Sequence, residues 1–285
     1  MNGNSNLNSV SLNVLKIYGL VPENLTLIQS GEVKAVWKLA ARGRQLCLKR
    51  LNKTYEKALF SVNAQIYIKA QGGKVAGVIP DPAGEPIVRY NDELFVLYEW
   101  IDGKDMNFAE AADLLTAVEG LAAFHVATKG YIPPPGSQVS TKLGKWPSQY
   151  ESMRKKLVSW KEEALKFAEL QQNAAYLKYV DSMVSMADEA YERLLKSRYE
   201  EFAKEGSPRV VLCHQDFGKG NCLLSSDGVY VLDLDGVTYD LPVRDLRKII
   251  GKNAENKGLW QAKSIESIVG RYSEVNPLNE EEIEI

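Results

Sequence analysis

Asp216, Asn221 and Asp233 are residue types that together could hold a metal ion and face a hydroxyl group. They lie in the run RVVLCHQDFGKGNCLLSSDGVYVLDLDGVTYDLPVRD, residues 209–245, as H-x-D-x-x-x-x-N followed twelve residues later by an Asp at the end of an apolar segment. Mg²⁺ is a hard ion that takes one or two carboxylates, an amide oxygen, waters and substrate phosphates. Two acids, Asp233 and Asp235, leaving an apolar strand are costly unless something cationic is near. Asn221 and Asp233 are therefore expected to hold Mg²⁺, with Asp216 facing an incoming hydroxyl. Singly, each of these residues would be read as a turn cap; the three at this spacing carry the chemistry.

That expectation needs elements that bring the groups together. Val210–Leu212 reads as a short strand, and Cys222–Leu224 and Val229–Leu232 as the arms of a hairpin around a Ser-Ser-Asp-Gly turn. Folding back about Ser226 and Asp227 sets Asn221 opposite Leu232 and Asp233. Asp235 either supports the site from behind or aids the metal; if the second arm continues as a strand it points opposite to Asp233, which favours the supporting role.

This stretch resembles the catalytic and metal-binding segment of the aminoglycoside phosphotransferase and choline kinase type of protein-kinase-like proteins. CHQDFGKGNCLL and VYVLDLDGVTYDLPVRDLRKII are similar in particular to the bacterial spore-coat CotS-like family. The resemblance implies that Asp216 matches the catalytic-loop Asp that orients the acceptor hydroxyl, and that Asn221 and Asp233 match the Mg²⁺ ligands. It makes His214 a buttress of the catalytic loop and Asp245 an acid that ties this region to it. It also implies an α+β, two-lobe fold: a small antiparallel-sheet N-terminal lobe over residues 1–101, and a mostly helical C-terminal lobe over 102–285 with its catalytic hairpin at 210–235. The cofactors implied are ATP and Mg²⁺, and the substrate is an unidentified small molecule bearing a hydroxyl.

The upstream chain fits this outline. Residues 1–9 read as a loose terminus and Val10–Tyr18 as a helix ended by Gly19. Leu25–Ile28, the alternating Val33–Leu39 and Gln45–Arg50 read as three antiparallel strands. Composition makes Lys49 an ordinary strand lysine; the resemblance places it as the lysine that contacts the α- and β-phosphates, with Arg50 and Lys53 as alternatives. Ser30-Gly31-Glu32 would be the phosphate-side turn, with one glycine instead of three. Tyr55–Lys69 reads as a helix. In related kinases a glutamate there pairs with the lysine, whereas here the spacing favours Gln65, with Glu56 as a nearer acid. A glutamine orients an ammonium but cannot neutralise it.

Ile87–Arg89 and Leu94–Tyr98 read as further strands. Backbone groups of residues 99–101, with Glu99 and Ile101 at the ends, are placed by the resemblance against the adenine; Trp100 either walls that pocket or enters the core. From Phe108 the apolar period changes from 2 to 3.6, and His125 falls on the apolar stripe as a core histidine. A basic, aromatic loop at 141–147 is followed by two long helices, the second continuing towards Phe202. Leu246–Ile250 and Ile265–Tyr272 read as helical and the acidic tail 279–285 as frayed. Related kinases add helices beyond this region, so the large lobe is expected to be incomplete at its C-terminus, through a naturally short chain or a missing end.

Bulk properties exclude several classes. The 285 residues are 45% hydrophobic and 25% charged with a formal net charge of −2, which gives no support for nucleic-acid binding. Three cysteines and two histidines cannot build a disulfide framework or a multi-histidine centre. A zinc site from Cys213, His214 and Cys222 lacks repeated Cys spacing. MNGNSNLNS has neither the basic head nor the apolar stretch of a signal peptide, and no run reaches the roughly 20 apolar residues of a membrane span. A cytoplasmic protein is expected, one that the resemblance would assemble onto the spore coat beside other coat proteins. Two other functions compete. DLDGV resembles the signature of haloacid-dehalogenase phosphatases, with Asp233 as nucleophile, but too little chain follows it for the usual domain. A catalytically weak or inactive kinase-like scaffold of the coat is the other.

Overall fold

In a computed structural model describing residues 2–31 and 34–285, the chain opens with helix α1, Asn2–Ile17, closed by Gly19 at φ +66°. The loose segment predicted over 1–9 is helical from Asn2. Leu7 and Val10 extend the apolar stripe of Val14, Leu15 and Tyr18 upstream onto the sheet, and Asn8 Oδ1 accepts a hydrogen bond from Trp37 Nε1 at 3.3 Å. Strands β1 (Asn24–Ser30), β2 (Ala35–Ala41) and β3 (Arg44–Leu51) follow, then helix α2 (Tyr55–Ala70), whose first turn is capped by the Thr54 side chain. Val33, predicted to open the second strand, and Glu32 lie outside the described residues.

Strands β4 (Val78–Ile79), β5 (Val88–Tyr90) and β6 (Glu93–Glu99) complete an antiparallel sheet of order β1-β2-β3-β6-β4, with β5 also on β6. Period-2 alternation divides its side chains. Trp37, Leu39, Leu46, Leu48, Phe95 and Leu97 share one core with α1, whereas Leu51, Val96 and Tyr98 share another with Ala58 and Val62 of α2. The register sets Lys49 opposite Val36 and Val96, on the α2 side. A one-residue slip would drive its ammonium into the α1 core, so burial of Leu46 and Leu48 fixes where Lys49 points.

After β7 (Lys104–Asp105) and α3 (Ala111–Thr128) come α4 (Trp146–Leu165), α5 (Gln171–Lys196) and the one-turn α6 (Tyr199–Phe202). The catalytic stretch supplies β8 (Val211–Cys213), β9 (Cys222–Ser225), β10 (Gly228–Val231) and a 3₁₀ turn at Leu234–Gly236. Strand β11 (Thr238–Asp240) and helices α7 (Val243–Lys257), α8 (Ala262–Ser273) and α9 (Glu280–Ile283) end the chain.

These elements form two compact units. The first, Met1–Ser140 with Val211–Thr238 and Arg244–Pro277, contains the large sheet, α3, the hairpin β9–β10, nearly all of α7, and α8. In it, β7, β9 and β10 form a three-stranded antiparallel sheet. The second, Thr141–Val210 with Tyr239–Val243 and Leu278–Ile285, is built on the paired helices α4 and α5 and a core of Trp146, Leu194, Tyr199, Phe202 and Leu241. The predicted run of α5 to Phe202 is broken at Ser197, whose hydroxyl donates to the Leu194 carbonyl at 2.7 Å. The predicted fraying of the tail is also corrected: Asn279 and Glu282 form a reciprocal capping box, and Glu282 pairs with Arg209.

Candidate active site

Every residue expected to act on nucleotide, metal or hydroxyl lies in the first unit. A cavity of about 270 Å³ opens there between the large sheet and the hairpin. Lys34, Val36, Cys47 and Lys49 line one side, Asn221, Leu232 and Asp233 another, and Glu99, Trp100 and Ile101 its edge. Trp100 is thus a wall and not a core residue, held by its indole N–H on Asp102 Oδ1 at 3.0 Å and by Lys38 over its ring at 4.3 Å. The amides of Glu99 and Trp100 donate to the carbonyls of Gly77 and Gln45. Burial pushes the Cys47 thiol up to about 11, so it serves as an apolar wall.

The hairpin does what the spacing predicts. Leu232 N–H donates to the Asn221 carbonyl at 3.0 Å, setting the two arms level. The side-chain N–H₂ of Asn221 donates to the Asp216 carbonyl at 2.9 Å and to Asp216 Oδ2 at 3.2 Å. Its Oδ1, the acceptor a hard cation needs, takes no part in those two bonds.

Beyond β10 the expectation for Asp235 fails for a definite reason. Asp233 adopts the left-handed conformation, φ +56° and ψ +62°, and a 3₁₀ turn follows instead of more strand. The reversal turns both acids to one side. Lys49 Nζ lies 2.7 Å from Asp233 Oδ1 and 2.9 Å from Asp235 Oδ2. Burial would lower the Lys49 ammonium, but Asp235 and Asp233 outweigh it and hold it above its ordinary value. Burial would raise Asp235, but Lys49 and Lys53 outweigh it and hold the acid well below the usual carboxylate range.

The expected pairing of Lys49 with Gln65 is replaced by these two carboxylates. Gln65 lines the same cavity, but its amide donates to the Ala76 carbonyl at 2.6 Å. Glu56 sits in the first turn of α2 beside its Thr54 cap. Two lysines that residue reasoning left aside or in reserve join the cluster. Lys53 donates to the Asp235 carbonyl at 2.8 Å and to Ser61 Oγ of α2 at 3.2 Å, and Lys34 lies 3.4 Å from Asp235 Oδ2. Lys34 was legible in principle, three residues past Gly31, whose N–H closes the turn on the Lys34 carbonyl at 2.8 Å. Gly31 itself carries no steric demand there, and Glu32 of that turn is outside the described residues. Arg50, the other alternative, pairs with Glu93 at 2.7 Å.

His214 is fully buried behind the loop. Its Nδ1 accepts from Asp216 N–H at 3.2 Å and its Nε2 donates to the Leu232 carbonyl at 2.8 Å, which defines a neutral imidazole joining the loop to the hairpin. Asp245 accepts from the N–H groups of His214 and Gln215, and from His125 Nε2 at 3.2 Å. His125 in turn bonds the Tyr272 hydroxyl at 2.6 Å, so its core reading acquires a partner on α8 that no local signal announced.

Asn221 and Asp233, an amide and a carboxylate lining one cavity, form an oxygen set suited to a divalent hard cation. Asp235 Oδ2 is buried, with the Lys49 ammonium at 2.9 Å and that of Lys34 at 3.4 Å. The alternative zinc set is not assembled: Cys222 Sγ contacts Met106 Sδ, and among the described residues the only clustered ligand set is His125, Cys213 and Asp245, all buried, with His125 and Asp245 already hydrogen-bonded to each other. The phosphatase-like DLDGV motif follows an antiparallel hairpin instead of opening a parallel-sheet domain.

The profile of the phosphotransferase enzyme family matches residues 24–263, most of the chain and every residue expected to act on nucleotide, metal or hydroxyl. The chain belongs to the phosphotransferase enzyme family. This phosphotransferase-family chain is 25% identical over 272 residues to Spore coat protein S of Bacillus subtilis (strain 168), covering 95% of itself and 78% of that protein. Its structure is similar to an aminoglycoside phosphotransferase from Alicyclobacillus acidocaldarius, with a TM-score of 0.77 at 18% identity over 95% of this chain and 79% of the other. It is also similar to an amicoumacin kinase solved in complex with AMP-PNP, Ca2+ and Ami, with a TM-score of 0.64 at 16% identity over 98% and 79%. The fold is the α+β, two-lobe, protein-kinase-like one, with a sheet N-terminal lobe and a helical C-terminal lobe. Among the described residues no helix is long and apolar enough to cross a membrane.

Proposed function

We propose that this chain transfers the γ-phosphoryl group of ATP to a hydroxyl of a small molecule. The observation that carries the reading is the meeting of Lys49 with Asp233 at 2.7 Å across one cavity, with Asn221 lining the same space. Lys49 would hold the α- and β-phosphates, while the backbone of Glu99 and Ile101, at the proposed lobe boundary near residue 101, would meet the base. Gly31, in the β1–β2 turn, and Gln65, in the cavity wall, would serve the nucleotide side. Asn221 and Asp233 would hold Mg²⁺, which when bound neutralises charge on the phosphates.

Asp216 would orient the acceptor. The acceptor oxygen forms a bond to the γ-phosphorus, the bridging bond to the β-phosphate breaks, and ADP leaves. The hydroxyl proton passes to Asp216 and from there to solvent. His214 would act by holding Asp216 in place through the N–H to Nδ1 bond. Positioning and charge neutralisation supply most of the rate in such chemistry.

A cytoplasmic protein assembled onto the spore coat is proposed from the likeness to Spore coat protein S. A purely structural role in the coat is the second reading; the convergence of Lys49, Asn221 and Asp233 on one cavity, with Asp216 held by the Asn221 amide, weighs against it. Calorimetry with ATP and Mg²⁺, followed by an acceptor screen for ADP release, tests the proposal. Asp216→Asn is expected to abolish ADP release above background and to keep nucleotide binding. Equal turnover in that variant and the wild type, or no binding of ATP by the wild type, would overturn it.

A further inference from the structure

In place of the acid expected on α2 stands Gln65, with its amide taken by Ala76. Lys49 nevertheless has a carboxylate to spare. Asp233 and Asp235 both reach it, and their surroundings differ. The Asp233 side chain is 37% exposed and lines the cavity; that of Asp235 is 15% exposed and is not among the described residues lining it. Asp235 instead faces lysines: Lys49 at 2.9 Å, Lys34 at 3.4 Å and Lys53 at 3.6 Å.

The turn that aims Asp235 is also the one that α2 packs against. Lys53 joins them, donating to the Asp235 carbonyl on one side and to Ser61 Oγ of α2 on the other. Leu234, 2% exposed, anchors the turn between the two acids. If Asp233 engages a divalent cation, Asp235 remains as the carboxylate beside Lys49, rigidly held and only slightly hydrated.

We infer that Asp235 is the acid that positions Lys49, supplied from the metal-binding turn where related kinases use a helix glutamate, with Lys53 and Ser61 linking α2 to that turn. This rests on reading Lys49 as the phosphate lysine. It also removes one argument for a purely structural protein, because the missing helix acid is replaced and not lost.

The experiment is a double-mutant cycle joined to a rescue. Thermal midpoints of wild type, Lys49→Met, Asp235→Asn and the double variant are measured without nucleotide. The two losses are expected to be non-additive by roughly 2–4 °C or more, the size of a direct contact in a chain this long. ATP turnover should fall about tenfold or more in Asp235→Asn, as for loss of a hydrogen bond to a charged group, and Gln65→Glu in that background should restore much of it. A residue that merely fills space would not be rescued from α2. Asp235→Ser is read in the same way if Asp235→Asn does not fold. Additive thermal losses, or a turnover defect that Gln65→Glu leaves where it was, would overturn the inference. A wild type without any turnover would overturn the phosphotransfer reading instead, and the thermal cycle alone would then decide the role of Asp235.

Discussion

The His214 N–H donates to Asp245 Oδ2 at 2.6 Å, so a buried carboxylate on α7 grips the main chain two residues before Asp216. Gln215, between them, is held at φ +74°, a left-handed conformation uncommon for a side-chain-bearing residue, and its own N–H donates to Asp245 Oδ1. The grip makes the fold pH-sensitive with a definite sign. Burial pushes the His214 ring below its ordinary value. Asp245 is pulled below its own, because the bonds from His125 and from the His214 N–H outweigh burial. In both cases the unfolded chain binds protons before the folded one does, so stability falls as pH falls. The thermal midpoint is expected to decline as pH drops below about 6.5 and again below about 4, the ordinary His and Asp values. His214→Gln should flatten the upper part of that profile and leave the lower part.

Asn221 carries two tasks that substitution can separate. Its N–H₂ holds Asp216 and its oxygen is proposed for the metal. Asn221→Ala should raise the Mg²⁺ needed for half-maximal ATP binding about 10- to 100-fold, as for a lost contact to a charged group, and lower turnover as well. Asn221→Asp should bring the Mg²⁺ requirement back towards wild type while turnover stays low, because a carboxylate cannot donate to Asp216. Titrating Mg²⁺ in a binding assay beside an ADP-release assay separates the two effects.

The difference between what could and could not be read in the sequence follows from range. The β9–β10 hairpin and the placing of Asn221 level with Leu232, next to Asp233, rest on short-range alternation and turn chemistry, and the structure carries both. The strand pattern alone leaves Lys49 an ordinary strand lysine; the resemblance is what directs it at the phosphates. Asp235 was misdirected because period-2 reasoning assumes that the strand continues, and nothing local announces that Asp233 adopts the left-handed region. The resemblance places the Lys49 partner on α2, whereas an acid beside it lies 186 positions downstream. The bond between His125 and Tyr272 spans 147 positions and has no periodic signature. The first turns of α1 were missed because Asn and Ser are weak helix formers, and packing of Leu7 and Val10 on the sheet core overrides that propensity.

Gly120 shows how closely the hairpin is seated. It lies inside α3, where glycine costs about 1 kcal/mol relative to alanine. A Cβ there would come within 2.5 Å of Val229 Cγ1 on β10. Gly120→Ala therefore gains helix propensity and loses about 1–3 kcal/mol to overpacking, with net destabilisation expected. The displaced strand is the one that leads into Asp233, so ATP turnover should fall too. Gly120→Ala combined with Val229→Ala should recover both quantities; a thermal midpoint at or above wild type in the single variant would show that β10 yields freely.

The second unit is predicted to depend on one aromatic pair. Trp146 is 4% exposed, stacks on Tyr199 with ring centroids 5.0 Å apart, and donates its indole N–H to Asp240 Oδ2 at 3.1 Å. Truncation to Ala removes the largest side chain of that core, at a cost of about 3–5 kcal/mol. Phe keeps most of the packing but withdraws a donor from a buried acid, at about 1.5–3 kcal/mol. Hydrogen exchange resolves where the loss falls. Trp146→Ala should expose the amides of α4, α6 and the end of α5, while those of β2 and β3 keep their protection, since the sheet's core contains none of these side chains. Trp146→Phe should give the same pattern at smaller amplitude. Loss of protection spread evenly over β2, β3 and α5 would mean that the two units unfold as one.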